Sequence, residues 1–264
     1  MFAYAGGVHG SETVKKVFAL RRDGYTQTEI AGVLGIGQTT VGRWLRSDEL
    51  AVLGSPMRQR SDPLCPGLCP RRSNVAESDY AYLLGQYLGD GMLVSTGRGV
   101  YRLVISCCAT YADVITQCEG AIRCVMPSNS VGRRTRRGAI DLWCYSKHWP
   151  CLFPQHGPGK KHTRTIELES WQSAIALDSH SERFVRGLLH SDGCRSINRV
   201  TAPTGKQYEY IRYQFSNRSA DIRALFTRAC DRLGIEWRQM NRHTISIARR
   251  GSVARLDGFV GPKS

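Results

Sequence analysis

Two stretches of the chain share one pattern of apolar and small residues. Residues 83–91 (LLGQYLGDG) and 185–193 (VRGLLHSDG) are each mostly apolar and end in an aspartate followed by glycine. The pattern predicts two helices, and each is expected to end at a glycine in the left-handed conformation. Within each helix, small residues recur four positions apart and therefore share one face. They are Gly85 and Gly89 in the first helix and Gly187 and Ser191 in the second.

These faces carry almost no side chain, so the two helices can pack backbone against backbone. Side by side, they would place their final acids, Asp90 and Asp192, close together at one end. The sequence therefore predicts a helix interface and a pair of adjacent carboxylates.

The regions that follow the two acids repeat one order of elements. Alternating residues predict strands that include 101–106 and 210–215, and helices are predicted over 111–123 and 220–233. A closing lysine lies 70 residues after the acid in the first copy, at Lys160, and 71 residues after it in the second, at Lys263. Each copy reads helix, two strands, helix, two strands, helix, which indicates an α+β fold.

Both motifs resemble the signature of the LAGLIDADG homing-endonuclease family in their glycines, their apolar residues and the final Asp-Gly. The resemblance covers residues 78–264 and implies tandem αββαββα repeats, 78–174 and 175–264, related by a pseudo-twofold axis. It also implies that Asp90 and Asp192 bind divalent metal, Mg²⁺ or Mn²⁺, and that a basic residue near each acid assists catalysis. By position these basic residues are Lys160 and Lys263, with Lys161, Lys147 and Arg250 as further candidates.

A carboxylate pair suits phosphodiester hydrolysis. Divalent metals held by carboxylates activate water, stabilise the leaving oxygen and neutralise the phosphate, and Mg²⁺ needs only one or two protein carboxylates. The alternative for an Asp-Gly at a helix end is a turn or cap. His190 departs from the motif, and it either titrates near neutral pH or forms hydrogen bonds at the helix interface, which we favour.

Residues 1–48 carry the pattern of three short helices. Thr26-Gln27-Thr28-Glu29 is a capping box, and Gly35-Ile36-Gly37 makes the turn before the third helix. The segment resembles bacterial helix-turn-helix and resolvase-type domains, although a three-helix bundle used for protein contacts would show the same pattern. The residues expected to face DNA bases are Gln38, Thr39, Thr40 and Arg43.

Residues 49–77 lack periodicity and contain several Pro and Arg residues, which predicts a basic, semi-extended linker. Cys65 and Cys69 lie within it. They are either half of a small zinc site completed by His or Cys elsewhere, or two ordinary loop cysteines. We favour loop cysteines because no second Cys/His pair follows at zinc-finger spacing.

The charge pattern favours a polyanionic partner. The chain has 37 Lys and Arg against 22 Asp and Glu, a net charge of +15. Double-stranded DNA fits better than a membrane surface, because no stretch combines a long apolar face with a basic one. Strands that alternate apolar with basic and amide residues are typical of a sheet with one face on DNA, although a merely solvated face is the alternative. The candidates are Arg133, Arg134, Arg136, Arg212 and Gln214.

The cysteines favour a reduced environment. Six of the ten fall inside strand or helix patterns and are expected as buried free thiols: Cys107, Cys108, Cys118, Cys124, Cys144 and Cys230. No signal sequence or membrane span is predicted. We therefore expect a cytoplasmic, nucleoid-associated protein that is a monomer with internal pseudo-twofold symmetry.

Two functions fit these patterns. The first is a metal-dependent, site-specific endonuclease that cuts both strands of duplex DNA and carries an accessory helix-turn-helix. The second is a non-cleaving transcription regulator that combines a LAGLIDADG-like domain with a helix-turn-helix. Such regulators typically lose the motif acids, so the presence of both acids favours the enzyme. An intein is not expected, because the chain ends lack splice-junction residues.

Overall fold

The computed structural model describes residues 11–46, 69–261 and 263. The chain forms two units, Met1–Asp62 and Pro63–Ser264, whose boundary falls inside the predicted linker over residues 49–77. Cys65 and most of that linker lie outside the described residues.

The first unit contains three short helices, α1 (Ser11–Arg22), α2 (Gln27–Leu34) and α3 (Gln38–Leu45). The predicted capping box forms at the start of α2. The Thr26 side chain accepts from the Glu29 backbone N–H, and the Glu29 carboxylate accepts from the Thr26 N–H at 2.8 Å. Gly35 ends α2 with a φ of 63°, a conformation that favours glycine. The core of the unit consists of Val17, Ile30, Ile36 and Val41.

The second unit contains two copies of one arrangement. The first copy runs α4 (Pro70–Ser73), α5 (Glu77–Asp90), β1 (Gly91–Ser95), β2 (Tyr101–Cys108), α6 (Ala112–Val125), β3 (Val131–Arg136), β4 (Ala139–Ser146) and α7 (Trp149–Leu152). A 3₁₀ turn (Lys161–Thr163), helix α8 (Ser170–Ser173) and a π-helical turn (Ala174–Ser179) follow. The second copy runs α9 (Ser181–Asp192), β5 (Gly193–Thr201), β6 (Gln207–Ser216), α10 (Ala220–Arg232), β7 (Arg238–Asn241), β8 (Thr244–Ile247) and α11 (Arg250–Phe259).

The predicted αββαββα order is confirmed in both copies. One difference is that the closing helix of the first copy, α7, is a single turn, whereas α11 has ten residues. None of the helices described in either unit is long and apolar enough to cross a membrane.

Each copy forms a four-stranded antiparallel sheet of the same topology, β1-β2-β4-β3 in the first and β5-β6-β8-β7 in the second. The registers also correspond, because the first residue of β1 pairs with Ile105 and the first residue of β5 pairs with Phe215. Ile105 and Phe215 are buried, so alternate residues of their strands face the core. We call the opposite side of each sheet its open face.

The motif helices, α5 and α9, pack with their backbones in contact. A Cβ on Gly85 would lie 2.7 Å from the Phe184 carbonyl oxygen, and a Cβ on Gly187 would overlap the Tyr82 carbonyl oxygen. No real side chain tolerates such distances, so only glycine fits at these two positions. The small-residue strips seen in the sequence are thus the contact between the helices.

The glycines after the two acids do not adopt the predicted left-handed conformation. Gly91 has a φ of −96° and Gly193 a φ of −104°, because each helix runs directly into an extended strand. The lack of room for a Cβ atom explains why glycine occupies these two positions. A Cβ on Gly91 would lie 2.5 Å from the Tyr87 Cα, and a Cβ on Gly193 would lie 2.7 Å from the Leu189 Cα. The prediction of a left-handed exit is wrong, and close packing selects the glycines.

The prediction of buried thiols is correct for four of the six cysteines and wrong for Cys108 and Cys124, which are exposed. Cys108 ends β2 on the open face, because it lies an odd number of residues from the core-facing Ile105. Cys124 lies beside the exposed Arg123 in the last turn of α6.

We expect Gly187→Ala to destabilise the protein, because the added Cβ overlaps a backbone carbonyl of α5. Overpacking costs roughly 1–3 kcal/mol, more than the helix propensity of about 1 kcal/mol that alanine contributes. Urea unfolding measures the difference. The matched control is Gly120→Ala in α6, where a Cβ would have no described atom within 4 Å; it should be neutral or stabilising. Equal effects of the two substitutions would contradict the backbone contact.

Candidate functional site

The two motif acids lie where the motif helices end and the sheets begin. Asp90 and Asp192 are the last residues of α5 and α9, and the next residue opens β1 or β5. A Cβ on Gly89 would overlap Ser191 and lie 3.1 Å from Asp192 Oδ2, so the second acid reaches the first motif helix. The structure thus brings together both acids and the four small residues predicted at the helix interface.

Burial perturbs both carboxyl groups. It raises the pKa of Asp90, an effect that the charges of Lys161 and Lys263 partly offset. Burial and the charge of Asp90 raise the pKa of Asp192 to about 6, although Asn217 Nδ2 donates to Asp192 Oδ2 at 2.6 Å. The two acids therefore interact electrostatically, and their surroundings compensate their charges only in part.

One lysine caps the C-terminal end of each motif helix. Lys161 Nζ donates to three successive carbonyls of α5, those of Tyr87, Leu88 (3.0 Å) and Gly89 (2.8 Å). Lys263 Nζ donates to the carbonyls of Ser191 at 3.4 Å and Gly193 at 2.5 Å. The last carbonyls of a helix lack an intrahelical partner and carry partial negative charge, so a cation there is stabilising.

The lysine at the end of α5 is Lys161, and not the predicted Lys160. Lys160 is exposed and precedes the 3₁₀ turn, and the other candidates, Lys147 and Arg250, are exposed as well. A signal was present in the sequence, because Lys161 and Lys263 both lie 71 residues after their acid.

Lys161 is held as a cation. Burial lowers its pKa to about 8, while Asp192 and Asp90 favour the charged form. Burial also lowers the pKa of Lys263. An ammonium group has three N–H donors, and Lys161 gives all three to carbonyl oxygens of α5. In its charged form Lys161 therefore places a positive charge beside the acids while its three N–H donors are bound to helix carbonyls.

The residues present fit a divalent cation that prefers oxygen ligands. Asp90 and Asp192 offer two adjacent carboxylates, the hard donors that Mg²⁺ and Mn²⁺ select. Burial raises the pKa of both groups, which shows that their negative charge is incompletely balanced. A bound cation would supply the missing positive charge.

His190 lies buried at the helix interface and is neutral, since burial lowers its pKa to about 4. Its Nε2 lies 3.2 Å from the Val260 carbonyl oxygen, which can only accept, so we assign the proton to Nε2. Nδ1 then accepts from the Tyr82 hydroxyl at 3.0 Å, and Gln86 donates to the same hydroxyl at 2.9 Å. This geometry favours the hydrogen-bonding role over titration near neutral pH.

Two equivalent arginines lie on the open faces. Arg212 precedes Phe215 by three residues and Arg102 precedes Ile105 by three, so the pseudo-twofold relates them. Both are half-buried, and the Nε of each is buried without a hydrogen-bond partner among the described residues. Gln214 shares the open face of Arg212. Arg102 was not among the predicted residues, because the acid lies 15 residues before Ile105 and 23 residues before Phe215, so alignment of the copies on their acids does not pair Arg102 with Arg212.

The three predicted arginines of β3 divide between the two faces of the sheet. Arg133 pairs in register with a core-facing residue of β4 and forms an ion pair with Glu119 of α6. Arg134 and Arg136 lie on the open face near Asp141, with Arg136 Nη2 at 2.6 Å from its carboxylate. Strand alternation places neighbours on opposite faces, so the prediction of one common face is wrong for Arg133.

In the first unit, the predicted DNA-facing residues lie at the start of α3. Thr39 is exposed and Thr40 is half-buried. Gln38 is exposed and donates to the Thr28 hydroxyl at 3.1 Å, which ties it to α2. Arg43 lies in α3, but its side chain is outside the described residues. Base recognition by this helix stays a prediction.

The surroundings of the two acids differ in one respect. Asn217, two residues after Phe215, donates to Asp192, whereas the equivalent position of the first copy is the buried Cys107. A cysteine cannot replace the amide as a strong donor. Asn217 was not predicted from the sequence, because alignment of the copies on their acids pairs it with Ile115, and only the strand register pairs it with Cys107.

We expect Asp192→Asn to stabilise the metal-free protein at neutral pH. The folded pKa of about 6 exceeds the unfolded value of about 3.9, so the folded state binds more protons between these values and stability falls as the pH rises through them. Because asparagine does not ionise, Asp192→Asn does not lose stability over this pH range. Its free energy of unfolding at pH 7.5 should exceed that of wild type by roughly 1–2 kcal/mol.

The difference should shrink as the pH falls from about 6 to about 4, and it should be small below that, where Asp192 is mostly protonated in both states. Urea unfolding in EDTA at both pH values measures it. Asp178→Asn is the control, because Asp178 is exposed and paired with Arg232 at the surface. A difference between wild type and Asp192→Asn that does not depend on pH would contradict the shifted carboxyl.

Comparisons with known proteins concern the fold. A scan against protein-family models gave no match, and neither did a search of curated proteins. Among solved structures, mesophilic variants of the homing endonuclease I-DmoI are 18% identical, with 70% of this chain and 96% of theirs covered and a TM-score of 0.48. The N-terminal LAGLIDADG domain of DUF199/WhiA is 14% identical over 72% and 88%, with a TM-score of 0.43. The LAGLIDADG meganuclease I-AabMI bound to uncleaved DNA is 10% identical over 68% and 82%, with a TM-score of 0.44.

At these identities the likeness is one of fold alone. The two αββαββα copies, their matching sheets and the glycine-packed motif helices are the arrangement that the resemblance of the two motifs implied. The architecture of this chain therefore agrees with the resemblance of its two motifs to the LAGLIDADG signature.

Proposed function

We propose that this protein binds double-stranded DNA and hydrolyses both strands with Mg²⁺ or Mn²⁺ held by Asp90 and Asp192. The observation that carries the proposal is the pairing of two partly buried carboxylates at the ends of the motif helices, one residue before each sheet begins. DNA that lies along both open faces would pass both acids.

Each acid would serve one strand. A divalent metal bound there supplies an activated water and neutralises the charge of the scissile phosphate. The residues of the chain provide the frame: Asn217 orients the Asp192 carboxylate, and Lys161 and Lys263 fix the helix ends and add positive charge beside the acids. Because one chain contributes both acids, we propose that a monomer cuts both strands.

The open faces would form the main DNA-binding surface. Antiparallel strands fit a DNA groove, and the open faces present the guanidinium groups of Arg102, Arg134, Arg136 and Arg212 together with the Gln214 amide. Arg102 and Arg212 each retain a buried Nε donor without a partner among the described residues, which a phosphate or base edge could satisfy. The net charge of +15 supports the same partner.

The first unit would add a second DNA contact. Its helix α3 follows a short glycine turn, as in helix-turn-helix proteins, and begins with Gln38, Thr39 and Thr40. With this unit the proposed organisation is a helix-turn-helix domain over 1–48, a linker over 49–77 and repeats over 78–174 and 175–264.

We expect the wild-type protein to cut both strands of its preferred duplex in Mg²⁺ or Mn²⁺. That duplex is selected from a random pool in EDTA, where binding proceeds without cleavage. The Asp90→Asn/Asp192→Asn double variant should bind the same DNA without detectable cleavage, because it lacks both proposed metal ligands. Each single variant should leave one strand intact, which denaturing gels resolve.

Cleavage by the double variant would exclude the two acids as the metal site. Tight binding by wild type with no cleavage in either metal would identify a non-cleaving helix-turn-helix/LAGLIDADG regulator in place of the nuclease. Absence of duplex binding by wild type would exclude both functions.

We expect Arg212→Ala to weaken DNA binding and to lower the slope of log affinity against log salt by about one, because one phosphate contact is lost. Fluorescence anisotropy over a salt series measures both quantities. Arg133→Ala is the matched control, since it removes the same charge from β3 but from the side that faces Glu119. An equal change in both variants would mean that net charge, and not the open face, governs binding.

A further inference from the structure

Three potential metal ligands outside the acid pair converge in the first copy. Cys69 precedes the one-turn helix α4, and His148 and Cys151 lie at the start of α7 and within it. The ligand atoms of all three lie within 4.8 Å of one another. Cys69 Sγ is 3.4 Å from His148 Nδ1, although the two residues are 79 positions apart in sequence.

The spacing of these atoms agrees with tetrahedral zinc coordination. Zinc bonds of about 2.3 Å to sulfur and about 2.0–2.1 Å to nitrogen place the two ligand atoms about 3.6 Å apart at a tetrahedral angle. The observed 3.4 Å separation of Cys69 Sγ and His148 Nδ1 is close to that value. Both cysteines are well shielded, with 2% of Cys69 and 7% of Cys151 exposed.

We propose that Cys69, His148 and Cys151 bind a structural zinc ion. Two thiolates and an imidazole are a soft donor set that selects zinc over Mg²⁺, so the site is chemically distinct from the two acids. One tetrahedral position remains, and the proposal assigns no residue to it. Cys65, which the sequence pattern pairs with Cys69, lies outside the described residues.

The closing helices of the two copies differ in length, and this difference gives a metal site in the first copy a structural role. In register, the position of Cys151 corresponds to Ala254, which lies in the ten-residue helix α11. Helix α11 buries Val253 and Leu256 in the core, and α7 buries all four of its residues but has only one turn. A zinc ion in the first copy would hold α7 and would tie the segment that leads into the first motif helix to the end of β4.

The test uses the full chain, purified in reducing, chelator-free buffer. We expect about one zinc ion per chain by mass spectrometry of the metal content. Replacement by Co²⁺ should give tetrahedral d–d bands and a thiolate-to-metal charge-transfer band. Cys151→Ser and His148→Ala should lose the metal, whereas His148→Cys, which restores a ligand, should retain it. Cys124→Ser is the matched control, because it removes an exposed thiol elsewhere and should keep the full zinc content.

A chelator should lower the thermal midpoint of wild type and of Cys124→Ser by several degrees in magnesium-free buffer, and should leave that of Cys151→Ser unchanged. Wild type that carries no stoichiometric zinc, or a Co²⁺ spectrum without the charge-transfer band, overturns the proposal even where a variant fails to fold. A Cys69–Cys151 disulfide in the native protein, detected by intact mass without reductant, also overturns it. None of these readouts depends on DNA cleavage. The zinc proposal can therefore be contradicted while the nuclease proposal holds, and the nuclease proposal can be contradicted while the zinc proposal holds.

Discussion

The rest of the structure depends on the backbone contact between the two motif helices. At Gly85 and Gly187 the partner backbone occupies the space that a side chain would need. This contact sets the distance between the helices, and because each helix ends in an acid, it also sets how closely the acids approach. The first strand of each sheet starts one residue later, so the open faces are positioned by the same contact. A larger residue in the interface would therefore disturb packing, acids and sheets together.

The close approach of Asp90 and Asp192 is electrostatically unfavourable, and two nearby lysines reduce the repulsion. Burial raises the pKa of Asp192, and the charge of Asp90 raises it further, because the two carboxylates repel each other. Lys161 and Lys263 reduce this repulsion while they also satisfy the carbonyls at the two helix ends. The two tasks cannot be separated, because removal of Lys161 would leave carbonyls of α5 without its hydrogen bonds and both acids without a nearby cation. Stability and the proposed chemistry thus rest on the same side chains.

The sequence predicts what local spacing encodes and fails where distant contacts decide. Small residues four apart define a helix face, so the motifs predicted the interface and the acids. Glycine is selected both by left-handed turns and by close packing, so the pattern could not show which applies at Gly91. Adjacent lysines fit the same approximate position, and only the equal spacing of 71 residues separates Lys161 from Lys160. The face on which Arg133 lies follows from the strand register, which the run of arginines conceals.

The two copies differ most in the segment that positions a lysine, Lys161 or Lys263, beside the acids. In the second copy, Lys263 follows α11 after three intervening residues, so the long helix itself positions it. In the first copy, Lys161 follows the single turn of α7 after a loop of eight residues, and although the four residues of α7 are buried, one turn has few helical hydrogen bonds to hold it. The cluster of Cys69, His148 and Cys151 lies where that loop begins. A metal there would anchor α7, and through it the loop that carries Lys161 to the end of α5. On this argument the proposed zinc compensates the first copy for its missing helix, and it supports the charge balance of the acids without contact with them.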